Sequence, residues 1–204
     1  MTASRIACCN DASVAEITQQ KRDLRRSLLK ARQSISTEAR ADNDKAIAAA
    51  VIAWLAAHPV QCLGVYWPMR GEPDLRDAYA TLAAQGIALA LPLSAVRNTP
   101  LRFAAWKPGD ALRTDAMGIS VPEATAPIVD PDALLIPCVG FNAARIRLGY
   151  GGGYYDRTLA CNPKPLAIGV AYKLVLAQFP GEEHDIPLDA IFTECGESTA
   201  LAAK

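Results

Sequence analysis

The chain lacks the features that mark several large functional classes. None of its six cysteines forms a C-x-x-C pair, and it has only two histidines, His58 and His184. A zinc finger needs closely spaced Cys and His ligands, so that reading is excluded. The cysteines are scattered as Cys8, Cys9, Cys62, Cys138, Cys161 and Cys195 in a chain that is 51% hydrophobic, enough apolar residue to build a core without disulfides. Cys62 and Cys138 lie in apolar runs and read as small core residues. The simplest setting for such thiols is the reducing cytoplasm. No run of about 18 apolar residues exists, so no helix is expected to span a membrane. The opening residues, Met1 to Asn10, hold one arginine and no apolar stretch long enough for a signal peptide. Net charge is lacking too. The 21 basic and 21 acidic residues cancel, which leaves no overall field to attract nucleic acid or a membrane surface. A polyanionic ligand would need a local cluster of cations.

What is present is an alternation of apolar runs with amphipathic segments. Ser13-Val-Ala-Glu16 reads as a capping box that opens a helix to about Arg32, with residues 1–15 as a frayed tail. Ser36 or Thr37 caps a second helix, whose apolar stripe is Ile47, Val51, Trp54 and Leu55 and which Pro59 closes. Residues 62–67 form a nearly continuous apolar run, as in a strand covered on both faces. Pro68 to Pro73 is a turn, and Leu75, Ala78, Tyr79 and Leu82 mark a third helix stopped by Gly86. Further buried strands are expected at 87–91, 101–106, 133–139, 166–171 and 190–193. Residues 107–131 read as an irregular excursion, 140–153 as a long loop, 154–160 as a short helix and 174–179 as a helical turn. The pattern predicts a single domain over 16–204 of the α/β class, a three-layer α/β/α arrangement around a mainly parallel central sheet. Ligands of such sheets gather at the carboxyl ends of the strands, where the loops at 68–73 and 140–153 would meet.

The sharpest local feature is Arg145-Ile-Arg-Leu-Gly-Tyr-Gly-Gly-Gly-Tyr-Tyr-Asp156. Gly149, Gly151, Gly152 and Gly153 let backbone N–H groups approach an anion closely, and the following helix start adds its dipole. Arg145 and Arg147 can add charge-assisted bonds to phosphate. No Gly-Lys-Ser/Thr follows, so this is not a Walker A loop, and Tyr154 breaks the G-x-G-x-x-G spacing. A glycine turn with arginines in water fits the same residues. Asp156 is either a helix-start carboxylate or a magnesium ligand, with Asp185 or Asp189 as a second carboxylate. Lys21 and Arg25, four residues apart, share one helix face, which by itself reads as a solvated basic face. Trp67 can wall a flat heterocycle and Glu72 can accept ring N–H bonds, or both can be ordinary core and turn residues.

Together and in order, these segments resemble the 5-formyltetrahydrofolate cyclo-ligase (5,10-methenyltetrahydrofolate synthetase) family. The resemblance runs from Lys21-Arg-x-Leu-Arg25 through Glu72 and Leu148-Gly-Tyr-Gly-Gly-Gly-Tyr-Tyr-Asp156 to Glu183-His-Asp-Ile-Pro-Leu-Asp189. It implies an enzyme that uses ATP and Mg²⁺ to close 5-formyltetrahydrofolate into the methenyl form. It implies ATP contacts at Lys21, Arg22, Arg25, Arg147, Leu148, Gly149, Tyr150, Gly151, Gly152, Gly153, Tyr154 and Tyr155. Substrate contacts are implied at Trp67, Met69, Glu72 and the 150–154 stretch, and magnesium at Asp156 and Asp189. Lys21, Arg147 and Tyr154 are the implied catalytic residues. Animal members carry Arg and Lys at the positions of Tyr150 and Gly152; the glycine-richer form here is the common bacterial variant. A cytoplasmic monomer that meets neither nucleic acid nor membrane is expected. A sugar-phosphate isomerase or CoA-transferase-like enzyme on a similar α/β fold is the alternative.

Overall fold

A computed structural model describes residues 6–93, 96–116, 118–182 and 184–198. The chain opens with two helices, α1 (Ile6–Gln33) and α2 (Thr37–Ala57). α1 starts at Ile6 rather than at the Ser13 cap signal, because no glycine or proline between Ile6 and Ser13 interrupts it. Residues 1–5 of the expected tail lie outside the described residues. Ser36 does cap α2, its hydroxyl accepting the Ala39 N–H at 3.2 Å. Among the described residues, no helix is long and apolar enough to cross a membrane.

The remaining elements are β1 (Cys62–Gly64), α3 (Arg76–Ala84), β2 (Ala88–Pro92), β3 (Phe103–Trp106), β4 (Leu112–Thr114), β5 (Ser120–Pro122), β6 (Ile128–Val129), β7 (Ala133–Pro137), β8 (Gly140–Phe141), β9 (Arg147–Leu148), α4 (Tyr154–Leu159), β10 (Leu166–Val170), β11 (Ala190–Thr193) and β12 (Gly196–Glu197). Eight of the strands form one sheet in the order β12-β11-β10-β7-β1-β2-β3-β6. Its central part, β11-β10-β7-β1-β2, is parallel, and the pairs at both edges are antiparallel. The 107–131 segment, expected to be irregular, contains the β4–β5 hairpin and edge strand β6. Strands of two or three residues are too short for a period-2 pattern to emerge from the sequence. The helical turn expected at 174–179 is a 3₁₀ turn at Lys173–Val175.

The central strands are apolar on both sides because helices cover both sides. In β7, Ala133 and Leu135 join a core with Ile47, Val51 and Leu55 of α2 and Ala78, Tyr79 and Leu82 of α3. The alternate residues, Leu134 and Ile136, join a second core with Leu28 of α1, Leu159 of α4 and Val175. These two cores are the two interfaces of the expected three layers. β1 pairs with β2 on one side and β7 on the other, so the chain leaves β1 in one direction and later returns on its far side. Such a switch point opens a crevice beyond the carboxyl ends of the two strands.

Gly64 sits at this junction, opposite Ala90 in β2 and Leu134 in β7. A Cβ there would overlap Leu134 Cδ2 and stand 3.0 Å from Phe103 Cε1. Gly64→Ala should therefore lower the unfolding free energy by about 1–3 kcal/mol in denaturant titration. A wild-type midpoint would mean that the Leu134 side chain moves aside freely.

Candidate active site

A cavity of about 740 Å³ occupies the crevice beyond β1 and β7. Three of the segments that wall it carry the residues singled out from the sequence for ATP or substrate. α1 contributes Lys21, Arg22 and Arg25; the turn after β1 contributes Trp67, Met69 and Glu72; and the segment from β9 into α4 contributes every residue from Arg147 to Asp156. All the residues singled out from the sequence for ATP or substrate thus share one cavity, which also brings the glycine loop, Asp156 and Lys21 together.

The face of α1 explains why its cations are not a solvated stripe. Lys21, Arg25, Leu28 and Arg32 recur at helical spacing, and the Leu28 side chain packs into the core beside Phe141 and Leu148. The face is thereby held against the loop. Lys21 is only 6% exposed, with Nζ 3.0 Å from Glu182 Oε1 and 3.2 Å from Asp185 Oδ2. Arg25 Nε donates to the Gly149 carbonyl at 2.8 Å. Burial lowers the Arg25 pKa, an effect opposed by Glu182 and Asp185.

The loop's conformation needs its glycines at two points. Gly151 (φ 95°) and Gly153 (φ 64°) adopt the left-handed region, and Gly153 is the N-cap of α4. α4 has only six residues, so its dipole is small. Arg147, 7% exposed, donates from Nη2 to Asp156 Oδ1 at 2.5 Å and lies 5.9 Å from the Tyr155 ring centroid. That pair ties the start of the loop to the start of α4.

A buried chain of polar groups joins the three walls. Arg32, 1% exposed, donates from Nη2 to the Tyr150 hydroxyl at 2.8 Å and from Nη1 to the Cys138 carbonyl at 3.3 Å. The Tyr150 hydroxyl in turn donates to Glu72 Oε1 at 2.8 Å, and Glu72 Oε2 accepts the Met69 N–H at 3.0 Å. Burial raises the Glu72 pKa above the ordinary carboxylate value, against the pull of these two hydrogen bonds and of Arg32. Arg32 was not singled out from the sequence. Its only signal was its place, seven residues beyond Arg25, on the stripe that carries Lys21.

Two further differences from the sequence reading concern carboxylates. Asp189 does not line the cavity. It precedes β11, its Oδ2 accepts the Ala167 N–H at 2.7 Å, and its Oδ1 lies 3.7 Å from Lys164 Nζ. It is thus occupied at the amino ends of β10 and β11, while the crevice lies at the carboxyl ends. Glu182, His184 and Asp185 do reach the cavity, and their ligand atoms lie within 4.8 Å of one another. Lys21 already supplies the cation between the two carboxylates. Glu183 lies outside the described residues.

Removing the Arg32 guanidinium would leave the Cys138 and Arg70 carbonyls and the Tyr150 hydroxyl without their donor. Arg32→Met should cost about 1–3 kcal/mol of stability by chemical denaturation. An unchanged midpoint would show that water takes over these bonds.

Comparison with known proteins gives the same picture from outside. Residues 17–194 match the model of the 5-formyltetrahydrofolate cyclo-ligase family. A 5-formyltetrahydrofolate cyclo-ligase of Mycoplasma pneumoniae is 28% identical over 85% of this chain and 98% of its own, and one of Escherichia coli is 34% identical over 67% and 78%. The structure of a 5,10-methenyltetrahydrofolate synthetase from Mycoplasma pneumoniae superposes with a TM-score of 0.72 at 26% identity, covering 85% of this chain and 98% of that one. The NMR structure of the Aquifex aeolicus 5,10-methenyltetrahydrofolate synthetase superposes with a TM-score of 0.70 at 28% identity, covering 90% and 94%. With the match over residues 17–194 and the superposition of the whole fold, the chain belongs to the 5-formyltetrahydrofolate cyclo-ligase family.

Proposed function

We propose that the chain catalyses the ATP-dependent cyclisation of 5-formyltetrahydrofolate to 5,10-methenyltetrahydrofolate, with ADP and phosphate as co-products. The observation that carries this reading is the shared cavity. Loop amides and the cations Lys21, Arg22, Arg25 and Arg147 suit a polyphosphate, and they face the same space as Trp67 and Glu72, which suit a flat heterocycle bearing N–H groups. The isomerase and CoA-transferase alternative has no observation in its favour.

In the proposed reaction the γ-phosphoryl group passes to the formyl oxygen on N5 and ADP departs. N10 then attacks the formyl carbon and loses its proton. The carbon–oxygen bond breaks as phosphate leaves, and the ring closes. No covalent bond to the protein is needed, so its task is positioning and stabilisation of phosphoryl charge. Lys21 and Arg147 are assigned to the transferring phosphoryl group, Arg22 and Arg25 with the 148–155 backbone to the rest of the triphosphate. Trp67, Met69 and Glu72 are assigned to the pterin, and Tyr150 to Tyr154 to the contact shared by both substrates.

Mg²⁺ fits the residues present. Asp156 borders the cavity with Oδ1 on Arg147 and with no partner for Oδ2 among the described residues, an oxygen donor of the kind a hard cation takes. When bound, Mg²⁺ supplies neutralising charge to the polyphosphate. We assign Asp156, not Asp189, as the ligand from the protein. The free thiols Cys62, Cys138, Cys161 and Cys195 suit the reducing cytoplasm.

Incubation with ATP, Mg²⁺ and 5-formyltetrahydrofolate should produce the absorbance of the methenyl product, and omission of ATP should abolish it. Turnover without ATP, or none with all three present, would reject the activity. Asp156→Asn leaves the buried Arg147 without its carboxylate, so the unfolding midpoint should fall; assayed below that midpoint, the variant should lose about 10- to 100-fold in kcat/KM. Near-normal turnover by that variant would remove Asp156 from the metal role.

A further inference from the structure

The turn after β1 holds an arginine where local geometry disfavours one. Glu72 N–H donates to the Met69 carbonyl at 2.9 Å, and the two central residues, Arg70 and Gly71, have φ of 49° and 76°. This is the form of a type I′ turn, which favours Gly, Asn or Asp at both central positions because a side chain with a Cβ is crowded there. The surroundings nonetheless fix it. Arg32 Nη2 donates to the Arg70 carbonyl at 3.1 Å, Arg40 Nη1 donates to the Gly71 carbonyl at 2.8 Å, and Glu72 accepts the Met69 N–H. A strained residue held this firmly at a cavity rim points to a use for its side chain.

The Arg70 side chain stands where two cavities meet. It borders the main cavity and also a second one of about 280 Å³, which shares the Trp67, Met69 and Glu72 walls. Its guanidinium lies 5.4 Å from the Tyr150 ring centroid, is exposed, and forms no ion pair within 4.0 Å among the described residues, though its charge acts on the buried Glu72. The other arginines of the second cavity are committed, Arg76 to Asp74 and Arg40 to backbone carbonyls. With the polyphosphate assigned to Lys21 and Arg25 and the pterin to Trp67 and Glu72, the second cavity adjoins the pterin walls and Arg70 stands at the junction, so it offers the rest of the substrate a path. That part ends in glutamyl carboxylates, for which a planar guanidinium is the matching donor.

We propose that Arg70 binds a carboxylate of the glutamyl tail and that the second cavity receives this tail. The inference rests on the activity proposed above. The test compares 5-formyltetrahydrofolate with 5-formyltetrahydropteroate, which lacks the glutamate, in wild type, Arg70→Asn and Arg70→Lys. Asparagine tolerates the left-handed turn, so Arg70→Asn should melt at or above the wild-type temperature. Its preference for the tailed substrate, as a ratio of kcat/KM values, should fall by about tenfold, the size of one lost charge-assisted contact. Arg70→Lys should keep part of the preference. An equal loss on both substrates, or a change confined to the KM for ATP, would overturn the assignment while leaving the activity standing. Wild-type protein that turns over neither substrate would overturn both.

Discussion

The docking of α1 onto the segment that follows β7 is the contact on which the site depends. Lys21, Arg25, Leu28 and Arg32 recur along one helical stripe, and each meets a different part of the cavity wall. Leu28 anchors the stripe in the core, Arg25 grips the Gly149 carbonyl, and Arg32 reaches beneath the loop to Tyr150. Apolar burial supplies the non-directional part of this docking, and the guanidinium bonds supply its register. Shifting α1 by one residue would rotate all four side chains off their partners at once.

Opposite charges are paired across the cavity rather than spread over its walls. Lys21 lies between Glu182 and Asp185, and Arg147 holds Asp156. Buried charges require such partners, since an unpaired one is costly to desolvate. The pairing also bears on ligand binding. An incoming polyphosphate competes with carboxylates for Lys21 and Arg147, whereas the exposed Arg22 has no carboxylate partner among the described residues. Glu72 is the reverse case, a buried carboxylate kept by hydrogen bonds from Tyr150 and the Met69 backbone. Its remaining acceptor capacity faces the same cavity as Trp67.

Much of the fold was legible because its signals are local. The central strands read as continuous apolar runs since both faces are covered, and the helices carry caps and stops such as Ser36 and Gly86 that act within a few residues. The elements that escaped are those whose existence rests on distant partners. β6 is a two-residue strand that exists only because β3 pairs with it, and β8 and β9 are two-residue strands joined to each other. The start of α1 was misplaced because a capping signal at Ser13 is only a preference, which a continuous helix can override.

For the site, the glycine loop stood out by composition, while Asp156, Lys21, Arg25, Trp67 and Glu72 each also fitted an ordinary structural role and were marked by an order along the chain that resembles the cyclo-ligase family. Tertiary structure alone decided which candidates meet. It joined residues as far apart in the chain as Lys21 and Asp185, left Asp189 at the opposite ends of the strands, and recruited Arg32 and Arg70, which carry no motif. The physical reason is that a side chain's environment is set by the packing of segments remote in sequence. Residue type specifies what a group can do, and only the switch point between β1 and β7 with α1 laid beside it specifies what each group faces.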